Sequence, residues 1–336
     1  MPADSISLTS QTVDREMLIK MIERGDYLII AGDEGMLDNL PSGNWIAGTI
    51  PYFMTAEGGK ADRDIAYVTT LSGFSNNFPR FTMYDASTIN RVAKEAPEHG
   101  FSIIILPAHS DVHMAYAQGA PNFERMFFTP IMGWISGIHL DDLGQKSPKV
   151  ALGTAGGALD ETRAVVVHVP LPEQQQANIN IINLFSQGNG PVIRFPQDGF
   201  EVGSCTVDGE EINLAAYIKE NNIDTKLPLV ADYSGISVNV SIQELLYDSV
   251  KLYAPVFADL EYRFATPVLD YVSEFNTALQ ASGKPSIAYS CNCILNYLYS
   301  ELEGKQTASL TGPMTFGEVA YQLVNQTLVY MSLEEN

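Results

Sequence analysis

Apolar residues along the chain follow two spacings, one typical of helices and the other of buried strands. Between Val13 and Ile22 they recur every three or four positions, which predicts an amphipathic helix that Gly25 is placed to end. Strand-sized runs rich in Ile and Val predict buried strands at residues 27–31, 65–71, 101–106 and 164–169.

Helical patterns separate these strands in the first half of the chain, at residues 34–40, 87–96 and 111–118. Ser110 precedes the last of these segments and is a favourable helix cap. Strands that alternate with helices indicate α/β layers with some parallel pairing. The predicted fold class is therefore α/β, or α+β, with layered helices on mixed sheets.

The second half of the chain carries more hairpin signals. Asp208-Gly209 separates two extended runs, and this dipeptide fits a type I′ turn. Asn213 is placed to cap a helix, and helical patterns follow at residues 214–221, 269–281 and 293–302. The apolar run at residues 326–331 predicts a last strand that is buried in a sheet.

A Gly- and Ala-rich segment at residues 145–161 has little periodicity and predicts a boundary between two α/β halves, residues 1–160 and 161–336. Each half contains a helix, a strand, a helix and an extended stretch, in that order. The extended stretch carries Gly48-Thr49 in one half and Gly317-Glu318 in the other. The order of elements matches while residue identity barely does, so an old duplication and a chance match both stay open.

The composition is that of an acidic globular protein: 46% of the 336 residues are apolar and the net charge is −21. The electrostatic field of so negative a protein repels phosphates and anionic lipid headgroups, so neither nucleic acid nor membrane is an expected partner. No apolar run approaches the ~20 residues of a membrane helix, and the first residues do not resemble a secretory signal. Three cysteines are too few for a disulfide framework, which favours the cytoplasm.

Familiar catalytic and metal-binding motifs are missing, so no catalytic residue, metal or cofactor is predicted. His109 and His113 lie four residues apart, as in many metal-binding helices, but a third ligand is not evident. Cys291 and Cys293 lie too close together for a zinc knuckle and are expected to pack in the core. The glycine-rich segment at residues 153–157 lacks the Lys-Ser/Thr of a phosphate-binding loop.

Two carboxylates lie among apolar residues. Asp232 follows Leu-Val-Ala, and Glu318 lies in the sequence Phe-Gly-Glu-Val. A carboxylate inside or beside a buried strand needs a partner, and Arg263 is a candidate. A structural ion pair and a contact with a ligand both stay open for these residues.

Four short blocks resemble the FIST family of sensory domains. Residues 315–319 (TFGEV) and 323–329 are similar to the closing motif of the FIST C domain, and residues 289–292 (YSCN) are similar to its Ser-Cys strand. Residues 28–31 and 45–49 are similar to the FIST N pattern of a strand followed by an apolar-Gly-Ser/Thr turn.

The chain departs from the FIST pattern at two points. Cys293-Ile-Leu stands where the family has an arginine, and Ile50-Pro-Tyr52 replaces a Gly-Glu pair. The match covers blocks near the two ends and leaves most of the middle unmatched. The resemblance implies an intracellular sensory protein that binds a small molecule, such as an amino acid, and acts through a separate signalling protein.

The predicted ligand site lies near the turns at Gly48-Thr49 and Gly317-Glu318, because glycine lets a backbone approach a ligand closely. Thr49, Glu318 and Asn325 would orient the ligand, and Glu318 is expected to favour a cationic or amine-bearing molecule. The predicted ligand-binding residues are Thr49, Tyr52, Asp232, Arg263, Cys291, Glu318 and Asn325.

Two other functions compete with non-catalytic ligand binding. One is a hydrolase whose site assembles in space from Cys291, either His109 or His168, and Glu318. The other is an oligomeric interaction protein. Perturbed pKa values on a nucleophile–base pair would favour the hydrolase, and a flat apolar patch would favour the interaction protein.

Overall fold

A computed structural model describes residues 5–233, 236–281, 286–307 and 310–335. The structure is mixed α/β, with 42% of residues in strands and 18% in helices. Sheets rather than helices therefore build most of the core. Within the described ranges, no helix has the length and apolar character that crossing a membrane requires.

The first part of the chain forms twelve strands and three α-helices among the described residues. In order they are β1 (Ser7–Val13), α1 (Arg15–Glu23), β2 (Tyr27–Gly32), α2 (Glu34–Leu37), β3 (Trp45–Thr49), β4 (Tyr52–Thr55), β5 (Gly58–Ala61), β6 (Ala66–Ser72), β7 (Arg80–Tyr84), β8 (Gly100–Pro107), α3 (Asp111–Gly119), β9 (Ile131–Ser136), β10 (Val150–Leu152), β11 (Leu159–Asp160) and β12 (Ala164–Pro170).

The rest of the described chain continues with more and shorter strands. In order they are β13 (Gln175–Ile182), β14 (Ile193–Arg194), β15 (Gly199–Val202), β16 (Ser204–Val207), β17 (Glu210–Asn213), α4 (Leu214–Glu220), β18 (Leu229–Tyr233), β19 (Ile236–Val240), β20 (Ile242–Leu245), β21 (Val250–Val256), β22 (Tyr262–Phe264), α5 (Tyr271–Ala281), β23 (Ile287–Cys293), α6 (Ile294–Tyr299), β24 (Gly312–Thr315), β25 (Glu318–Ala320), β26 (Gln322–Val324) and β27 (Leu328–Glu335).

Three six-stranded sheets have the same strand order and the same strand directions. Sheet 1 is β1-β6-β2-β3-β10-β11, sheet 2 is β7-β12-β8-β9-β25-β26, and sheet 3 is β13-β27-β23-β24-β4-β5. In each sheet the third and fourth strands are parallel and are joined by a helix. Every other neighbouring pair in these sheets is antiparallel. The same unit of topology therefore occurs three times.

The hairpin that completes each of these sheets comes from a different unit. The β4-β5 hairpin follows β3 of sheet 1 but completes sheet 3, and β10-β11 follows β9 of sheet 2 but completes sheet 1. In the same way, β25-β26 follows β24 of sheet 3 and completes sheet 2. This cyclic exchange of hairpins joins the three sheets through backbone hydrogen bonds.

The chain between β13 and α5 builds two further sheets. Sheet 4 is β17-β16-β14-β22-β18-β19, and sheet 5 is β15-β21-β20. Ile104 and Leu106 of β8 share one apolar cluster with Val202 and Leu252 of sheet 5. The opposite face of sheet 2 packs on sheet 3, where Trp134 Nε1 donates to the Tyr289 hydroxyl at 2.9 Å.

Several local signals in the sequence are confirmed. The first amphipathic helix is α1, and Gly25 follows it at a φ of 83°. Asp208 and Gly209 form the turn between β16 and β17, both with positive φ. Ser110 and Asn213 cap α3 and α4 through their side chains. The last strand, β27, lies between β13 and β23 as a buried strand would.

The helix predicted at residues 87–96 is wrong, because only a single 3-10 turn forms there, Ile89–Arg91. The Asp85 side chain caps this turn through the backbone N–H of Thr88, and the hydroxyls of Ser87 and Thr88 bond back to Asp85, local contacts that compete with a longer helix. The short helix α2 also ends earlier than predicted, at Leu37.

The segment predicted to separate two halves, residues 145–161, is built into sheet 1. β10 pairs with β3, and Gly153 and Gly157 lie so close to the Trp45 ring that a Cβ at either position would be within 3 Å of it. Strand pairing crosses residue 160 in sheets 2 and 3. The division into residues 1–160 and 161–336 stays a prediction. The breaks predicted at Ser234-Gly235 and at Gly283 lie outside the described residues.

Candidate functional site

Glu318, one of the predicted ligand-binding residues, is fully buried at the start of β25. Its carboxyl group accepts hydrogen bonds from the Thr327 hydroxyl at 2.8 Å and from the Thr327 backbone N–H at 3.3 Å. The Thr315 hydroxyl lies 3.3 Å from its other oxygen. These contacts hold the carboxyl between the end of β24 and the start of β27.

Burial raises the pKa of Glu318 to about 8, and the hydrogen bonds from Thr327 and Thr315 offset only part of that rise. The group is therefore mostly protonated at neutral pH. A neutral carboxyl exerts little attraction on a cation, which argues against the expected preference for a cationic or amine-bearing ligand.

Cys291 and Cys293 lie on β23 and are both buried. The Cys291 thiol lies 3.3 Å from the Gly133 carbonyl oxygen of sheet 2. Burial raises the pKa of both thiols well above the ordinary value, and the neighbouring Glu318 adds to the rise. Neither cysteine is activated as a nucleophile, because the reactive form is the thiolate.

Two asparagines, Asn292 and Asn296, bond to the threonines that hold this carboxyl, and a third, Asn325, follows Val324, the residue that pairs with Glu318. Asn296 Nδ2 donates to Asn292 Oδ1 at 2.9 Å and lies 3.3 Å from the Thr327 carbonyl. The Ser241 hydroxyl lies 3.3 Å from Asn325 Oδ1. We call this network the Glu318 cluster; its members are Asn292, Cys293, Asn296, Thr315, Glu318, Asn325 and Thr327.

Each of the three side-chain amides in the cluster has one polar atom without a hydrogen-bond partner among the described residues: Asn292 Nδ2, Asn296 Oδ1 and Asn325 Nδ2. Asn292 faces the Tyr271 hydroxyl of α5, but that contact does not meet hydrogen-bond geometry for Nδ2. The other unpartnered buried atoms in the described chain are dispersed over His113, Ser136, Asn276 and Tyr297.

A small cavity adjoins the cluster at Asn292. Its volume is about 10 Å³, which is room for about one water molecule. Cys291, Ser290 and Met54 line it together with residues 310–314. A metabolite would fit only if a covering element moved.

The two turns expected to line the ligand site are connected through β9. The Thr49 carbonyl accepts a hydrogen bond from Gly137 at 2.7 Å, and Ile135 donates to the Gly317 carbonyl at 2.8 Å. The Thr49 hydroxyl is engaged with the backbone of Lys149. Thr49 therefore lies near the meeting point of sheets 1, 2 and 3, with its hydroxyl used in structure.

Gly48 serves packing in this structure. A Cβ at Gly48 would lie 2.6 Å from both Ile105 and Trp134 of sheet 2. The glycine thus lets sheet 1 approach sheet 2, a close backbone approach that the sequence analysis assigned to a ligand.

Tyr52 lies on β4 beside a different set of groups. Its hydroxyl accepts a hydrogen bond from the Leu140 backbone at 3.1 Å, and its ring stacks on His139 at 5.3 Å between centroids. Tyr297 meets it edge-on at 5.7 Å. Burial raises the Tyr52 pKa.

Asp232 and Arg263 lie in sheet 4, whereas Glu318 lies in sheet 2. The Asp232 side chain is exposed, and Arg263 donates to the Gly190 carbonyl. The register places Arg263 opposite Val230. Of the predicted site residues, Cys291 contacts Gly133, which pairs with the neighbour of Glu318, and Asn325 follows the residue that pairs with Glu318; the others lie elsewhere.

A second buried network connects Ser102 with three other side chains. Ser102 Oγ lies 2.7 Å from His168 Nδ1, and His168 Nε2 lies 3.2 Å from the Tyr84 hydroxyl. Tyr84 in turn donates to Glu95 Oε2 at 2.8 Å. We call Ser102, His168, Tyr84 and Glu95 the His168 chain. Burial lowers the pKa of His168 to about 3, so its imidazole is neutral and can accept from Ser102 and donate to Tyr84.

Of the two histidines considered for a hydrolase site, His168 has both ring nitrogens engaged away from Cys291, by Ser102 and Tyr84. His109 bonds to His113 through its backbone, whose N–H donates to Nδ1 at 3.3 Å. Ser102 is fully buried, so its hydroxyl is closed to a substrate in this arrangement. In the part of the chain that the structure describes, no three His, Cys, Asp or Glu side chains form a metal-binding group.

Five members of the Glu318 cluster were not among the predicted site residues: Asn292, Cys293, Asn296, Thr315 and Thr327. Asn292 and Asn296 lie four residues apart within an otherwise apolar stretch that runs from β23 into α6. Two amides at that spacing in an apolar segment are a signal that could have found them, because buried polar groups need partners.

The chain belongs to a family of unknown function, DUF6976, whose model matches residues 13–334. The predicted membership of the FIST family is wrong, since this match spans every block on which the resemblance rested. Those blocks are short and serve internal contacts here, such as the one between Glu318 and Thr327. A comparison with curated proteins found no match.

Proposed function

We propose that this member of the family binds a small, uncharged polar molecule at the Glu318 cluster and does not transform it. One observation carries the proposal: two buried amide atoms without partners, on Asn292 and Asn296, lie in the hydrogen-bonded network around Glu318, and a third, on Asn325, lies next to the residue that pairs with Glu318 in the sheet. Native proteins leave few buried polar groups unpaired, and a group of them calls for water or a ligand. A molecule that both donates and accepts hydrogen bonds would satisfy Asn292 and Asn296 together.

The charge state of the cluster supports an uncharged ligand. Glu318 is mostly protonated at neutral pH, and the pKa of Cys293 is raised as well. A charged ligand would lose its hydration without meeting an opposite charge, which is costly in a buried site. An amide, a neutral carboxylic acid or a nucleobase-like edge has the matching donors and acceptors.

The same chemistry supports binding without a reaction. Cys291 and Cys293 are held as thiols, and the hydrogen bonds of His168 go to Ser102 and Tyr84. Nucleophilic catalysis needs a base within hydrogen-bond reach of the nucleophile. Binding alone is therefore the simpler use of this cluster.

A cytoplasmic sensory role through a separate signalling protein stays a proposal. It requires that ligand binding change a surface that a partner can contact. An element that must move to admit the ligand would provide such a change.

We also propose that the chain arose by duplication of three units, where the sequence analysis considered two halves. The three large sheets share one topology. The equivalent segments of the three units are α1, the 3-10 turn Ile89–Arg91 and α5. Asp14, Asp85 and Asp270 precede them, and each side chain accepts a hydrogen bond from the backbone N–H three residues further on. Family members in which these three positions show no common preference for Asp, Asn, Ser or Thr would count against it.

The test of ligand binding is a melting screen of the full chain against amino acids, their amides, nucleobases and other metabolites. A ligand at a hundred times its Kd stabilises the native state by about 2.7 kcal/mol, which for a chain of this size is a shift of about 2–6 °C. Asn296→Ala should abolish the shift, and Asn180→Ala, a change of a half-buried asparagine on β13, should not.

The proposal fails if the screen gives no hit, or if a hit keeps its full shift in Asn296→Ala. Turnover of an ester, amide or phosphate substrate that needs Cys291 would instead favour a hydrolase.

A further inference from the structure

Four aromatic rings are in contact at the surface where the chain passes from sheet 1 to sheet 2. Tyr27, at the start of β2, is the central ring. The Phe74 ring meets it edge-on at 5.2 Å between centroids, and the rings of Phe78 and Phe81 lie nearly parallel to it at 6.2 Å. We call these four residues the Tyr27 platform. All four are partly exposed and Phe78 is 54% exposed, and a group of contacting apolar side chains at a surface indicates a site of interaction.

A cleft adjoins the platform along the loop between β6 and β7, residues 73–79. Its volume is about 100 Å³, which is room for several water molecules. Phe74, Asn76 and Asn77 line one side of it, and Ile6 and Pro170 line the other. Phe74 belongs to both the platform and the cleft, so the two form one continuous surface.

Contacts on both sides hold the cleft in shape. Gly73 has a φ of 94° and lies so close to the Ser5 carbonyl oxygen that a Cβ would be 2.0 Å from it. The Gln175 side chain accepts from the Ile6 backbone N–H at 2.6 Å and donates to the Ile6 carbonyl at 3.1 Å. Pro79 is buried at the other end of the loop. A site that is formed before its ligand arrives loses less entropy on binding.

The platform and the cleft lack charged side chains, although the protein as a whole is strongly acidic. In residues 65–84 the only charged side chain is Arg80, which contacts Glu95. The residues that line the cleft are all uncharged. Asp26, which precedes β2, is paired with Arg24 at 2.7 Å. A charged ligand would find no opposite charge here, and an anion would also be repelled by the net charge of −21.

The polar groups beside the platform are amides with unused hydrogen-bonding capacity. Within the described chain, the Asn77 side chain makes no hydrogen bond, and Asn76 uses only Nδ2, which donates to the Ser75 hydroxyl at 3.2 Å. Both asparagines are exposed. A side-chain amide presents a donor and an acceptor side by side, and so can pair with two neighbouring hydroxyl groups of one molecule.

From these observations we propose that the Tyr27 platform and its cleft bind an uncharged carbohydrate. The C–H groups on one face of a sugar ring pack on aromatic rings, whose faces carry partial negative charge. Phe78 supplies the most exposed ring for this contact, and Asn76 and Asn77 supply partners for the hydroxyl groups. The site shares no residue with the Glu318 cluster, so the inference does not rest on the proposed function.

Saturation-transfer NMR of the full chain with neutral trisaccharides tests the proposal. The probes are maltotriose, cellotriose, mannotriose, xylotriose and chitotriose. At least one should receive saturation from the protein, mainly at the C–H protons of one ring face. Trigalacturonic acid, an anionic counterpart, should bind more weakly. Failure of all the neutral sugars to bind, or a preference for the anionic one, would overturn the proposal.

Substitutions locate the binding on the platform. Phe78→Ala should weaken the best neutral sugar by about tenfold, whereas Phe78→Tyr, which keeps the ring, should retain its affinity. Asn77→Ala should weaken it by about threefold or more. Both positions are exposed, so the variants should melt as wild type does. Phe128→Ala is the matched control, because Phe128 is 79% exposed in a separate turn, where it contacts Arg125. Unchanged affinity in Phe78→Ala, or equal weakening by the control, would overturn the proposal.

Decaproline in the same assay tests the competing occupant, a proline-rich protein segment. Binding of decaproline that Phe78→Ala removes, with no sugar bound, would assign the surface to a protein partner and overturn the carbohydrate. Asn296→Ala should bind the sugar as wild type does. A metabolite screen without a hit at the Glu318 cluster would leave this result standing, so the failures of the two proposals are distinguishable.

Discussion

The Glu318 cluster and the His168 chain are both buried polar networks, and they differ in how completely their hydrogen bonds are made. Each member of the His168 chain meets a partner in a directed series from Ser102 to the partly exposed Glu95. The Glu318 cluster has seven members against the four of the His168 chain, and three of its amide atoms find no partner among the described residues.

This difference separates two uses of buried polarity. A network that satisfies every donor and acceptor fixes strand register and side-chain orientation, as the His168 chain does across β8, β12 and β7. A network with unpaired donors and acceptors destabilises the folded protein, and only an added molecule that pairs with them can remove this destabilisation. A serine beside a histidine suggests catalysis at first sight, yet here the less familiar asparagine cluster is the better candidate for a site.

The largest expected effect is on the pH dependence of Glu318. Its folded pKa of about 8 lies above the ordinary 4.5, so the native state holds a proton that the unfolded chain releases. Its contribution to stability is full below pH 4.5 and is lost as the pH rises to 8, by about 1.4 kcal/mol per pH unit. Glu318→Gln should remove this loss, and from pH 5 to 8 the variant should gain on the order of 4 kcal/mol relative to wild type.

Urea unfolding at several pH values measures this difference. Glu57→Gln, a change of an exposed glutamate, is the control and should follow the wild-type curve. Parallel curves for Glu318→Gln and wild type would mean that the buried carboxyl is ionised in the native state, and the case for an uncharged ligand would fall.

The second expected effect is the cost of interrupting the His168 chain. His168→Leu at pH 7 leaves the Ser102 hydroxyl without its acceptor and Tyr84 without one partner, and should destabilise the protein by about 2–4 kcal/mol. The control is His99→Leu. The exposed His99 ring bonds to the Pro172 carbonyl, so this change should lower the free energy of unfolding by less than about 1 kcal/mol. Similar losses for both variants would show that the chain is not a stabilising unit.

The third expected effect is on the stability of the protein at acid pH. Burial lowers the pKa of His168 and of His113 to about 3, below the ordinary 6.5. Each is neutral in the native state, so its contribution is full above pH 6.5 and is lost as the pH falls towards 3. Together with Glu318 this places the maximum of stability near pH 6.5. Below pH 6.5, His168→Leu should lose stability less steeply than wild type as the pH falls, by about 1.4 kcal/mol per pH unit. The same pH dependence in both proteins, measured by chemical denaturation, would contradict a neutral His168 in the native state.

The smallest expected effect is in the Glu318 cluster itself. Asn325→Leu removes an unpartnered buried donor and one hydrogen bond of 3.3 Å from Ser241. These changes oppose each other, so the free energy of unfolding should change by less than about 1 kcal/mol. A loss as large as that of His168→Leu would show that the asparagines are a structural network, and the comparison drawn above would fail.

The parts of the fold that depend on neighbouring residues could be predicted from the sequence. The α1 stripe, the Asp208-Gly209 turn and the Ser110 cap are set within a few residues, and all three are found. Asp85 shows the limit of such signals, because it makes the same backbone cap bond as Asp14, yet only a single 3-10 turn follows it. The threefold order of the sheets depends on hairpins exchanged over long distances, which periodicity does not encode.

The candidate site follows the same division. Glu318 could be found because a carboxylate among apolar residues is unusual in any fold. Its partner Thr327 could not, because their contact depends on how β25 and β27 are placed. Ser102 and His168 lie 66 residues apart and meet only through the register of β8 and β12. Asp232 satisfied the same composition rule as Glu318, with Arg263 as a candidate partner, but both lie in the inserted sheet 4.

The exchanged hairpins have a consequence for synthesis on the ribosome. β9 emerges long before its antiparallel neighbour β25, and β4 emerges long before β24. At about 5–20 residues per second, the edge of β9 waits about ten seconds or more for the strand that covers it. During that interval an apolar edge is open to other nascent chains. The protein should therefore depend on chaperones while it is being made, even though its finished sheets leave those edges covered.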